Sequence, residues 1–265
     1  MNMTTPWHAR TAFILALLLP IYFATVALGT KFGAWNWQTG LLTLTAGVGL
    51  ALMGAIALLA TISLVLVLRR PPRIGWSAGA GALVIVGAMF AYLAVSASAA
   101  GDNPISDVAT DTADPPQFSA AVLEARAADG ANPVADYSTP LKETEAFGEM
   151  DEPLASQTLG QVVAETYPDL DSIPLGETGA EKAANITQLA MAEQGLTNIR
   201  YNPEMRTVEG VAETFWFGFR DDVAVRIGDD RIDLRSVSRV GRSDLGANAE
   251  RLRALSASIA GKLED

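Results

Sequence analysis

The sequence predicts a membrane-anchored α+β protein. Three transmembrane helices precede a two-layer domain, in which an antiparallel four-stranded meander is flanked by helices. Three observations predict it. Composition breaks sharply: residues 1–100 contain no Asp or Glu, and all 30 acidic residues lie beyond Gly101. Of 19 Lys and Arg, 5 precede position 101 and 14 follow it, so the second part carries 14 − 30 = −16. Three long apolar runs fill the first part. In the second, a period-two pattern gives way near the C-terminus to a period near 3.6.

The apolar runs cover about 11–29, 41–68 and 74–96. Each is close to or above the roughly 20 residues that cross a hydrocarbon core of about 30 Å. Residues 1–100 therefore read as a membrane anchor. Pro20 predicts a kink in the first helix. Short-loop charge sets the orientation. Arg69, Arg70 and Arg73 follow the second run, Arg10 and His8 precede the first, and the loop between the first two runs holds only Lys31. This places the N-terminus in the cytoplasm and the acidic part outside it, as an extracytoplasmic domain on a multi-pass membrane protein. Gly75 and Gly79 stand four residues apart, a spacing that lets helices approach closely. They serve packing within the chain or a homo-oligomer.

Residues 101–117, acidic and proline-bearing, read as a flexible linker. The domain is expected over 118–265, with a long surface loop at 138–157. Thr178 and Glu181 have capping-box spacing and open a helix that Gly195 stops. Strands follow at about 196–201, 206–216, 222–227 and 231–240. The turn Asp229–Asp230 sets a register in which Ile227 faces Ile232, Val225 faces Leu234 and Arg226 faces Asp233. Leu245, Ala249, Leu252, Leu255 and Ile259 mark the apolar face of a last helix from Asp244. The alternation places Arg231, Asp233, Arg235, Val237 and Arg239 on an open, solvated sheet face.

Several chemistries are excluded by residue type. With no cysteine there are no disulfides, thiolate nucleophiles or Cys-ligated metals. The single histidine, His8, is read as part of the N-terminal tail, which leaves the domain without an imidazole base. The adjacent carboxylates Asp221 and Asp222 point to opposite faces of a strand, so they do not form a cation site. No metal, cofactor or catalytic residue is expected. A domain at −16 repels nucleic acid.

Two stretches remain as candidate contact sites. In the strand-to-helix turn, Arg239, Arg242, Ser243, Asp244 and Asn248 combine cationic side chains with a helix N-terminus. That pairing suits an anionic small molecule, unless Asp244 satisfies the same donors internally. At the strand-to-strand turn, Phe215, Trp216, Phe217 and Phe219 with Arg220 make either a plug over the sheet end or a tip for the lipid bilayer or an envelope protein. The functional expectation is a binding or scaffold module. The alternatives are an enzyme of unfamiliar type using Asp and Arg, and an assembly protein working through its transmembrane helices.

The stretches Thr214–Ile227 ("TFWFGFRDDVAVRI") and Ile232–Leu255 ("IDLRSVSRVGRSDLGANAERLRAL") resemble the two signature blocks of the bacterial family catalogued as domain of unknown function 1499. Pro115–Arg126 and Tyr167–Leu175 resemble its weaker upstream blocks, and the acidic stretch around Glu143–Gln157 reads as an insertion. The resemblance implies a bacterial domain found behind membrane helices, which with the sidedness above makes it a periplasmic domain on an inner-membrane protein. It brings no catalytic residues with it.

Overall fold

The computed structural model describes residues 4–264, which divide into two compact units. The first is helical. It contains α1 (Trp7–Lys31), a widened helical stretch (Gln38–Gly49) that continues directly into α2 (Leu50–Leu68), and most of α3 (Trp76–Asp102). All three helical segments are long and apolar enough to cross a membrane.

Each contributes a narrow buried stripe: Ala12, Ala16 and Leu19 from α1, Met53, Ile56 and Ala60 from α2, and Ala82 and Val86 from α3. Leu17, Ile21, Leu58, Ile62, Val84 and Val95 remain exposed, the arrangement expected of helices that pack on one another and meet lipid elsewhere. A Cβ added at Gly79 would lie 3.3 Å from Leu64 Cβ, and one at Gly81 would lie 2.9 Å from Phe13. These small residues therefore let α3 close onto α2 and α1. α1 runs through Pro20 without interruption. His8 is not in a free tail: it lies in the first turn of α1, and its Nδ1 is 2.7 Å from the buried Ser63 Oγ.

The second unit is built on one antiparallel sheet. Its elements are β1 (Asp107–Ala109), α4 (Ala120–Ala128), α5 (Leu159–Thr166), β2 (Ile173–Pro174), α6 (Ala180–Glu193), β3 (Thr197–Asn202), β4 (Thr207–Glu213), β5 (Arg220–Ile227), β6 (Arg231–Ser238) and α7 (Ala247–Glu264). The strand order is β1-β6-β5-β4-β3, and β2 also pairs with β6. The expected meander is present as β3–β6. The register is the expected one, Ile227 opposite Ile232, Val225 opposite Leu234 and Arg226 opposite Asp233. Four strands become six because β1 and β2 add to opposite ends of β6.

Two expectations about this unit are corrected. The flexible linker over 101–117 gives way to ordered chain: α3 continues to Asp102, and Asp107–Ala109 form β1 with all three residues buried. The sheet face expected to stand open is covered. α4 and the chain around it lie over that face, where Phe118 packs with Ala224 and Val237 beside Val122 and Val134. The architecture is three layers rather than two. On the other face, Ala183, Ala190 and Met191 of α6 and Leu252, Leu255 and Ile259 of α7 cover Val223, Val225, Ile232 and Leu234.

Local signals are shifted in three places. α6 starts after Gly179 with no side-chain cap, so Thr178 and Glu181 do not form their box; a capping box forms instead at Thr158 and Gln161, opening α5. The last helix starts at Ala247, because Leu245 (φ 60°) and Gly246 (φ 88°) turn the chain left-handed after Asp244. The loop over 138–157 is more than surface, since Leu141, Phe147 and Ala155 are buried.

Candidate functional site

Alternation along β5 and β6 sends Asp222, Arg226, Asp233 and Arg235 to the face under α4, and the chain folds their partners onto them. Arg235 is 1% exposed. Its Nε and Nη2 donate to the two Asp107 oxygens at 3.0 and 2.7 Å, and further N–H groups reach the carbonyls of Pro116 and Ala135. The guanidinium lies over the rings of Tyr137 and Phe118. Burial alone would lower the Arg235 pKa; the Asp107 charge and hydrogen bonds outweigh it, and the group is held cationic. Tyr137 donates to Asp107 at 2.9 Å, and burial, with the Asp107 charge, pushes its phenol well above the ordinary tyrosine range.

A second cluster centres on Asp222. One oxygen accepts from Arg126 at 2.6 Å and from Arg239 Nε at 3.0 Å; the other accepts from Arg239 Nη2 at 2.7 Å. Asp129, at the end of α4, pairs with Arg239 and with Arg220. A third cluster links Asp233 to Arg226 at 2.7 Å and to the Ser172 hydroxyl. Sequence reading missed Asp107, Arg126, Asp129 and Tyr137. Their signal was faint: an arginine inside the alanine-rich α4, an aspartate just past its end, and Asp107 in a stretch read as linker.

The five turn residues do not converge on an open cavity. Arg239 is buried and taken up by Asp222 and Asp129. Asn248 is 0% exposed, bonding Ser236, Ser238 and the Ser106 carbonyl. The Asp244 carboxylate accepts from the backbone N–H of Gly246 at 2.9 Å and of Asn248 at 2.5 Å, so the helix N-terminus already holds an anion of the chain's own. Burial raises the Asp244 pKa, opposed by those two backbone bonds. The Ser243 hydroxyl accepts from Leu245 N–H. Arg242 is exposed; Nη1 donates to the Glu149 carbonyl at 3.0 Å, and no carboxylate among the described residues pairs with it.

The aromatic turn is not a plug. Phe215 is 70% and Trp216 51% exposed, packed edge-to-face at 5.1 Å between ring centroids, while Phe217 and Phe219 are half-buried. Thr214 and Phe219 close the turn, Thr214 N–H donating to the Phe219 carbonyl and Phe219 N–H to the Thr214 hydroxyl. Phe215–Gly218 group with the helical unit. Arg220, at the base, pairs with Asp129 at 2.8 Å.

These features define a class: an antiparallel α+β domain with an ion-paired interior layer, C-terminal to three apolar helices. Residues 107–259, more than half of the chain, match the family described as protein of unknown function DUF1499, and the chain belongs to that family. The match opens on the first residue of β1 and closes inside α7. No curated protein and no solved structure matches the chain.

Proposed function

We propose that this is a multi-pass inner-membrane protein whose C-terminal domain, held outside the cytoplasm, works as a non-catalytic binding or scaffold module. The observation that carries the reading is how side chains are spent. The arginines and aspartates that chemistry would draw on are bonded to one another inside the domain. The groups left at the surface, Phe215, Trp216 and Arg242, are of the kind that recognise rather than react. The charge asymmetry of the short loops supports the sidedness.

Two labels test it. Asp151, exposed in the 138–157 loop, accepts a lone thiol in a cysteine-free chain. Asp151→Cys reacts with a membrane-impermeant maleimide in intact spheroplasts if the domain is outside; reaction only after lysis refutes the placement. A photoreactive phenylalanine analogue replacing Trp216, but not one replacing the exposed Leu189 of α6, gives a discrete crosslinked product if the tip is a contact surface. Equal labelling from both positions refutes the binding reading. The anionic-ligand version narrows to Arg242: Arg242→Ala then weakens binding of inorganic phosphate to the full-length protein, and unchanged or undetectable binding in both proteins removes it.

A further inference from the structure

The aromatic turn lies at the end of the sheet where the chain arrives from α3. β1 starts there, with Asp107 opposite Val237, and only residues 103–106 join it to α3. At about 3.5 Å per residue, that link spans less than 20 Å. β6 ends there too, since Arg239 N–H donates to the Arg220 carbonyl at 2.9 Å. The turn beyond it exposes Leu245 and brings Gly246 against Asn103. Phe215 and Trp216, both exposed, thus stand in the turn that joins β4 to β5.

The two half-exposed carboxylates beside the turn, Glu213 and Asp129, lie 4.0 and 2.8 Å from Arg220. The neighbouring carboxylates Asp221 and Asp222 turn inward, to Arg251 and to Arg126 and Arg239. The tip therefore does not carry them into a headgroup layer. α3 has 27 residues, about 40 Å of helix against a hydrocarbon core of about 30 Å, so its end reaches the headgroup region. Three spans put the end of α1 on the same side as the end of α3. There Lys31 Nζ donates to the Phe215 carbonyl at 3.0 Å, 5.4 Å from its ring centroid. Tryptophan prefers this boundary, and phenylalanine buries its ring at the edge of the acyl chains beneath it.

We infer that Phe215 and Trp216 insert into the lipid–water interface of the membrane that α1–α3 span. The inference rests on the membrane-anchored reading above and gives its contact surface one occupant, the bilayer. The domain then meets the membrane through this tip as well as through its covalent link to α3.

The test uses the full-length protein in phosphatidylcholine–phosphatidylglycerol vesicles, nitroxide-labelled at Trp216→Cys, at Phe215→Cys or, as the aqueous reference, at Leu189→Cys. Power saturation compares collisions with oxygen and with a water-soluble nickel chelate. The inference requires oxygen to exceed the chelate several-fold at the two tip positions, and the reverse at position 189. Chelate access at the tip equal to that at position 189 overturns it. Shielding of the tip from both reagents also overturns it, in favour of a protein contact. All three labelled positions are exposed, so the fold is not at stake. The maleimide experiment fails or succeeds on its own, which separates loss of this inference from loss of the anchored reading.

Discussion

Both faces of the sheet are buried, but they are closed by different chemistry. Under α6 and α7 the seal is mainly aliphatic, with Val223, Val225, Ile232 and Leu234 against Leu252 and Leu255, and polar only where the first turns of α7 meet Asp221, Ser236 and Ser238. Under α4 it is ionic, with Asp107–Arg235 and Asp222 held by Arg126 and Arg239. An aliphatic seal loses stability in proportion to the atoms removed. An ionic seal fails in steps, because deleting one partner leaves a charge in a medium that cannot solvate it. The ionic layer is thus brittle to single changes and specific about which segment lies over it, while the aliphatic layer tolerates change of similar volume.

Substitutions rank accordingly. Asp222→Leu leaves the buried Arg126 without a carboxylate and Arg239 with Asp129 alone; it should cost about 3–5 kcal/mol, seen as a drop of roughly 10–20 °C in the melting temperature. On the aliphatic face, Ile232→Val removes one methylene and should cost about 1 kcal/mol, seen as a shift of a few degrees in the melting temperature.

The Asp244 carboxylate should show in the pH dependence. Burial raises its folded-state pKa above the unfolded value of 3.8, so its contribution to stability is present below that value and is lost as pH rises through the folded pKa. Asp244→Asn removes this slope. The stability of wild type minus that of the variant should therefore fall from pH 4 toward neutrality, measured by thermal unfolding across that range; a difference that rises with pH would show the carboxylate favoured by the fold. The smallest effect belongs to the surface. Lys262→Ala breaks a partly exposed pair with Glu193 at 3.0 Å and should change stability by less than about 1 kcal/mol.

What the sequence revealed follows the same division. The apolar runs of the helical unit are long enough to declare themselves, and the β5–β6 register is fixed by a tight turn and by alternation of Val225, Ile227, Ile232 and Leu234. β1 and β2 were invisible, since strands of three and two residues carry no period; they are strands because β6 pairs with them. The ionic face was misread for a physical reason. An arginine at every second position is the ordinary mark of a solvated face, and Arg235 becomes interior only because Asp107, 128 residues earlier in the chain, is brought to it. In the turn, Ser243 and Asp244 announced a helix, which starts at Ala247, but a sequence cannot say whether its N–H groups meet an external anion or the chain's own. The exposure of Phe215 and Trp216 was equally hidden, because aromatic residues at a turn serve as plug or tip with the same spelling.

The Asp107–Arg235 pair tests the ionic seal most directly. A double-mutant cycle with Asp107→Leu and Arg235→Met, read by thermal unfolding of the full-length protein in detergent, separates a paired interior from two independent residues. Each single change should cost about 3–5 kcal/mol, and the double should cost less than either alone, since it removes both charges together. A double variant whose loss equals the sum of the singles would contradict the account.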